Sequence, residues 1–216
     1  MANPKPGQPH ADPAWRWMGD RAVRVVTGTT TLARYAMLDS GNFEEIEDII
    51  PADGSILLIF RPGTVPSAGL REALVRPVQD TAMAESREHV MRVIFGGESG
   101  PDLAERAAGA GLDEAGYVRR LTATVYTVAF LGFQPGFPYL AGLPDVLAAP
   151  RRSTPRHRVA AGSVAVGGGY LGIYPAAGPG GWHVLGRTAA RLFDPAAPAP
   201  ALLRPGDRVR FVAESR

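Results

Sequence analysis

The chain is expected to fold as two units in an α+β arrangement, a small two-layer α/β domain followed by a domain made almost entirely of short β-strands. Three observations predict this. A strand–strand–helix order occurs twice in succession near the N-terminus, helical periodicity disappears after residue 124 in favour of short apolar runs between Gly/Pro turns, and 216 residues exceed the commonest single-domain size.

Residues 1–13, MANPKPGQPHADP, carry proline, glycine and polar side chains without hydrophobic periodicity and are expected to form a disordered tail. The α/β domain is placed at 14–86. WRWM and RAVRVV on either side of Gly19-Asp20 predict a tight hairpin, and Leu32, Tyr35, Ala36 and Leu38 cluster at a helical period over Thr29–Leu38 before Gly41 ends the helix. The second round has an imperfectly alternating strand at Phe43–Ile50, a turn at Ala52-Asp53-Gly54, a buried strand at Ser55–Phe60 and a helix face marked by Leu70, Ala73 and Leu74. This order predicts both helices on one face of a sheet. Pro77–Arg87 is polar, and the domain boundary is placed there.

The second domain, 87–216, opens on the strand HVMRVIF and continues through GGESGPDLAERAAGAG into a short helix. Asp113 has the character of an N-cap, with Leu112 stapled onto Tyr117, for a further helix through about Leu121. Thr124–Leu131, Arg158–Val166, Tyr170–Tyr174, Trp182–Arg187 and Asp207–Val212 follow as short strands, the pattern of a closed or sandwiched β fold. Among them Phe130–Pro144, FLGFQPGFPYLAGLP, reads as a rigid, shaped loop. Gly132 and Gly136 allow positive φ or close approach there, while Pro135 and Pro138 fix φ and remove two donors.

Composition excludes several chemistries. The chain has one lysine, Lys5, which leaves no Schiff-base lysine in the folded body and none for a phosphate-binding Walker loop. It has no cysteine, which removes disulfides, thiolate nucleophiles and thiolate-held zinc. A net charge of +2 argues against a nucleic-acid partner. The N-terminus lacks the apolar core of a signal peptide, and the longest aliphatic run lies near Ile56–Phe60, so no membrane association and a cytoplasmic location are expected.

Gly167, Gly169 and Gly172 match GxGxxG, but a dinucleotide fingerprint needs a helix to start at the last glycine, and Ile173, Tyr174 and Pro175 come next. Ser163 and His183 could enter a nucleophilic triad only without a GxSxG elbow, and the four histidines show no metal-ligand spacing, so no metal and no covalent cofactor are expected. Arg151, Arg152, Arg156, His157 and Arg158 form a basic cluster whose members repel one another unless anions or carboxylates lie among them. A solvated loop or a contact between subunits and an anion-binding role remain alternatives. Arg156, between Pro155 and a strand start, is the favoured substrate or phosphate contact, with Arg187 and Ser163 as further candidates. Phe133, Gly136, Phe137, Tyr139 and Trp182 are expected to form either core or the wall of a pocket or interface.

The blocks GF-x-PGF-x-YL (132–140), PR-x3-PR (150–156), AGSVAV-x-GG (161–168), GIYP (172–175) and PGGW-x2-LGRT (179–188) resemble the KipI family. That family includes the B subunits of 5-oxoprolinases and has also been labelled as the first of the two allophanate hydrolase chains. GPDL (100–103), LLRPGDRVRF (202–211) and, more weakly, MGDRAVRV (18–25) extend the resemblance over nearly the whole chain. It implies a cyclophilin-like β-barrel for the second domain. It also implies a sister chain of the KipA type, the C subunit of a 5-oxoprolinase, and an A subunit completing an ATP-dependent enzyme that opens 5-oxo-L-proline to L-glutamate. ATP would then be bound in the assembled complex with partner chains. A lactam is a poor electrophile, and ATP coupling can convert its oxygen into a leaving group. An allophanate-type amide hydrolase and a non-enzymatic histidine-kinase inhibitor are the alternatives the same family implies. Leu121 stands where many relatives carry histidine, and Ala160 replaces a usual proline, so a role for that histidine does not carry over.

Overall fold

The computed structural model describes residues 15–78 and 86–214, and the chain divides into two compact units, Met1–Met83 and Ala84–Arg216. The tail expected at 1–13 lies outside the described residues, as does most of the expected boundary segment.

In the first unit, β1 (Trp15–Trp17) and β2 (Ala22–Val26) form the expected hairpin, followed by α1 (Thr31–Ser40), β3 (Ile46–Ala52), β4 (Ser55–Phe60) and α2 (Ala68–Val75). The sheet is antiparallel in the order β1-β2-β4-β3. Val23, Val25, Ile56, Leu58 and Phe60 share one core with Leu38 of α1 and with Leu70 and Leu74 of α2, which puts both helices on the same face. The strand expected from Phe43 starts at Ile46. Glu44-Glu45 turn first, and Phe43 reaches the core as a loop residue.

Arg34 on α1 is buried, and its Nη1 donates to the carbonyls of Ala73 at 2.6 Å and Arg76 at 2.7 Å. It therefore satisfies acceptors at the C-terminal end of α2, where a cation also complements the helix dipole. Replacing Arg34 with methionine, which keeps the aliphatic stem, should lower stability by about 1 to 3 kcal/mol in urea denaturation. Stability equal to the parent's would show that water replaces the guanidinium without loss.

The second unit runs β5 (Glu88–Phe95), α3 (Leu103–Gly109), α4 (Glu114–Ala123), β6 (Val125–Leu131), β7 (Pro138–Ala141), β8 (Arg156–Val159), β9 (Ser163–Gly167), β10 (Tyr170–Ile173), β11 (Gly178–Gly180), β12 (His183–Arg187) and β13 (Arg208–Ala213). Seven strands close into a barrel in the order β10-β7-β6-β13-β5-β12-β9. The β5–β13 pair is parallel and the other barrel pairs are antiparallel. Met91, Val93, Tyr126, Val128, Leu140, Val164, Val166, Leu171, Ile173, Leu185, Val209 and Phe211 belong to its core, together with Leu103, Ala107, Tyr117 and Leu121 of the two helices. Asp113 caps α4 as expected, accepting from the Gly116 amide at 2.7 Å, and the helix runs to Ala123. The buried hydroxyls of Tyr117 and Tyr126 donate to the carbonyls of Leu147 and Leu121, each at 3.0 Å.

The segment expected as one strand, Arg158–Val166, is two. Gly162, at φ 79°, turns the chain between them, so that β9 enters the barrel while β8 pairs with β11 in a separate ribbon. The shaped loop Phe130–Pro144 also contains β7, which pairs with β6 from Leu131↔Pro138 onward. Pro138 occupies the first position of that strand, where its missing donor is tolerated. All five residues of β9 are buried, because a second apolar cluster covers the barrel's outside here. Ala165 belongs to that cluster, with Phe137, Val159, Tyr174, Trp182 and Val184.

Candidate functional site

The basic cluster is organised by a carboxylate, Asp102. The GPDL segment lies against β12, where the Asp102 amide donates to the Val184 carbonyl at 3.0 Å and the Val184 amide donates to Asp102 Oδ2 at 2.7 Å. This approach requires Gly100, since a Cβ there would fall on the carbonyl of Leu185. Arg156 clamps the carboxylate with both terminal nitrogens, Nη1 to Oδ2 and Nη2 to Oδ1, each at 2.8 Å, and Arg152 Nη1 adds a contact to Oδ1 at 3.2 Å. Asp102 is 4% exposed. Burial alone would raise its pKa, but the hydrogen bonds from Arg156 and the Val184 amide and the charges of Arg156 and Arg152 outweigh it and hold the carboxyl below its ordinary value. The same pairing raises the pKa of Arg156.

Arg156 is well anchored, as expected from its place between Pro155 and a strand start, by an internal carboxylate that accepts from both arms of its fork.

Phe133, Phe137, Tyr139 and Trp182 do come together. They line a pocket of about 170 Å³ with Tyr174, Arg151, Arg152, Pro155, Gly180 and Gly181. Phe137 is the hub, with ring centroids 5.1 Å from Tyr174, 5.3 Å from Tyr139 and 5.5 Å from both Trp182 and Phe133, all edge-to-face. Phe133 is 60% exposed and has φ 67°, the sole positive φ of a non-glycine among the described residues. A bulky residue held in the left-handed region signals local strain at a presented side chain. Burial raises the pKa of the Tyr174 hydroxyl, which is hydrogen-bonded to the backbone of Trp182. Gly136 does not line the pocket. It packs on Phe193 and the Leu192 carbonyl, at φ 79°.

The GxGxxG match now has a physical explanation. A Cβ on Gly167 would lie 2.5 to 2.6 Å from the Trp182 indole, and one on Gly172 would lie 2.6 Å from the Phe137 ring. These two glycines form a floor for two aromatic rings, whereas Gly169 between them has open space beside it. Gly172 lies within β10, so no helix starts there and the dinucleotide-binding arrangement is absent from this segment.

Ser163 and Arg187 lie in a different cleft, of about 350 Å³, with Arg156, Arg158, Glu98 and Ser99 among its lining residues. Arg187 Nε donates to the Ala161 carbonyl at 3.0 Å. The sequence-selected residues thus divide between two sites, with Arg152 bordering the aromatic pocket and Arg156 the second cleft. Asp102, which links those arginines, was not singled out from the sequence, although its GPDL block was. The presence of four guanidiniums in need of a carboxylate was the available signal. Among the described residues no cluster of three or more His, Cys, Asp or Glu could hold a metal ion, and no helix is long and apolar enough to cross a membrane.

A closed barrel preceded by a small α/β unit is the architecture of carboxyltransferase-type domains. The K. lactis urea amidolyase shares this fold, with a TM-score of 0.70 at 20% identity over 98% of this chain and 15% of that one. The chain belongs to the family "Carboxyltransferase domain, subdomain C and D", which matches residues 13–203. It is 46% identical over 171 residues to the 5-oxoprolinase B subunit of Escherichia coli O157:H7, covering 78% of each chain. Among solved structures it is similar to TTHA0988, with a TM-score of 0.75 and 33% identity over 91% of this chain, and it spans 40% of that chain's length.

Proposed function

We propose that this chain is the B subunit of a 5-oxoprolinase, a non-autonomous part of a hydrolase that opens the cyclic amide 5-oxo-L-proline to L-glutamate at the expense of ATP. The observation that carries this reading is its relatedness to a 5-oxoprolinase B subunit over most of both chains. Two further curated relatives, from Haemophilus influenzae and Bacillus subtilis, bear the same name, which favours neither the allophanate-type hydrolase nor the kinase inhibitor.

The proposed division of labour follows from the chain's own residues. Partner chains of the A and C type supply the nucleotide site, since the last glycine of the segment here lies in β10 and no helix starts at it. This chain contributes the aromatic pocket. Its volume of about 170 Å³ is below the roughly 300 to 1,000 Å³ of pockets for drug-sized ligands and suits a five-membered ring. Phe133, Phe137, Tyr139 and Trp182 exclude water from the lactam, Arg151 and Arg152 at the rim balance its carboxylate, and Asp102 with Arg156 holds that rim in place. Ser163 and Arg187 in the adjoining cleft are the second candidates for an anionic group.

The test is reconstitution. Glutamate release from 5-oxo-L-proline and ATP, followed with the A and C type partners, should require this chain, and the chain alone should show no turnover above background. Full activity without it would remove the proposal.

A further inference from the structure

Among the described residues, four buried side-chain polar atoms have no hydrogen-bond partner, and three of them, Arg106 Nε, Arg152 Nε and His183 Nδ1, belong to residues lining one cleft. The cleft has a volume of about 350 Å³ and is completed by Glu105, Pro150, Arg151, Ser153 and Thr154. A buried polar group left unpaired is destabilising by about 1 to 3 kcal/mol, so the two guanidinium Nε–H donors on this wall call for an acceptor that the protein does not supply, and His183 Nδ1 joins them once the ring is protonated. We propose that this cleft is an oxyanion-binding site, taking a carboxylate or phosphoryl group between Arg106 on one side and Arg151 and Arg152 on the other.

The charges favour that ligand. Three arginines and one carboxylate, Glu105, line the cleft; Glu105 is already bonded to Arg106 Nη2 at 2.7 Å and Arg152 to Asp102, while Arg151 makes no ion pair among the described residues. Arg106 and Arg152 are partly accessible, with side chains 19% and 29% exposed, and Arg151, Ser153 and Thr154 are exposed. The ligand meets the accessible parts of these side chains, with the buried Nε atoms of Arg106 and Arg152 and His183 in the wall beneath. His183 is 6% exposed, and its Nε2 lies 3.0 Å from the Pro150 carbonyl, an acceptor, which places the ring proton on Nε2. Nδ1 is then a lone pair in the neutral ring and a donor only in the imidazolium. Burial, then the charge of Arg106, lowers the pKa of His183, against opposing contributions from the Pro150 carbonyl, Asp102 and Glu105. An oxyanion reverses the local field and favours the imidazolium. Binding therefore takes up a proton and strengthens as pH falls.

Sulfate is the probe of choice because it remains a dianion through the relevant range. In the full chain at constant ionic strength set with chloride, calorimetry should show saturable sulfate binding that is tighter at about pH 6 than at about pH 8. Arg106→Gln should weaken it about tenfold or more, equivalent to about 1.4 kcal/mol. Arg158→Gln, in the adjoining Ser163 cleft, should leave it within about twofold, and His183→Gln should flatten the pH dependence; near-ultraviolet circular dichroism confirms that each variant is folded. Competition distinguishes the sources of the group: displacement of sulfate by acetate identifies a carboxylate site, and displacement by inorganic phosphate a phosphoryl site. No saturable binding, unchanged affinity in folded Arg106→Gln, or loss in Arg158→Gln instead would overturn the proposal. These are binding measurements, so their outcome is independent of the 5-oxoprolinase assignment.

Discussion

Asp102→Ala should lower the stability of the chain by about 3 to 5 kcal/mol, the range for removing one partner from a buried ion pair and leaving the others uncompensated. Two arginines and the Val184 amide lose their common acceptor at once. Asp102→Asn preserves the shape and should retain part of the hydrogen bonding, so its loss should be smaller. The linkage to pH has a definite sign. Because the folded-state pKa of Asp102 is depressed, its contribution is fully present above the ordinary aspartate value of about 3.9 and disappears as pH falls through the lower folded value. Denaturation midpoints measured from neutral to acid pH should therefore fall more steeply below about pH 4 in the parent than in Asp102→Ala. Parallel curves would mean that the carboxylate is not held by the arginines.

Trp182→Ala is the second large effect, also about 3 to 5 kcal/mol, because it empties a buried site packed by Phe137, Tyr139 and the Gly167 backbone. The effect should be strongly non-additive with Gly167→Ala. In the parent the new methyl group would press on the indole, whereas in the Trp182→Ala background it meets open space and should be tolerated. Equal penalties in the two backgrounds, measured by chemical denaturation, would contradict the proposed use of that glycine as a ring floor.

Elements marked by local chemistry were legible in the sequence. Ser55–Phe60 is a continuous apolar run ended by turns, and it is β4; Asp113 has the spacing of an N-cap, and it caps α4. The proximity of Phe133, Phe137, Tyr139 and Trp182 was also legible as a pocket-wall alternative, since all four lie next to glycine-rich segments. What depends on distant pairing was not. β7 was hidden by Pro138, and β11 is the tripeptide Gly-Pro-Gly, which has no strand propensity and exists through its pairing with β8. The part played by Asp102 depends on residues 50, 54 and 82 positions away in the chain, a juxtaposition that no local pattern encodes. The pairing of Arg156 with Asp102 was hidden for the same reason.

The chain's three tryptophans, Trp15, Trp17 and Trp182, offer the most direct test that the aromatic pocket receives the lactam. With 5-fluorotryptophan incorporated into this chain and the complex assembled with its partners, fluorine NMR should give separate signals assignable by Trp182→Phe. Adding 5-oxo-L-proline at the concentration that saturates turnover should move the Trp182 signal and leave those of Trp15 and Trp17 in the first unit in place. A Trp182 signal unchanged at saturation, in a complex that is turning over, would contradict binding in this pocket.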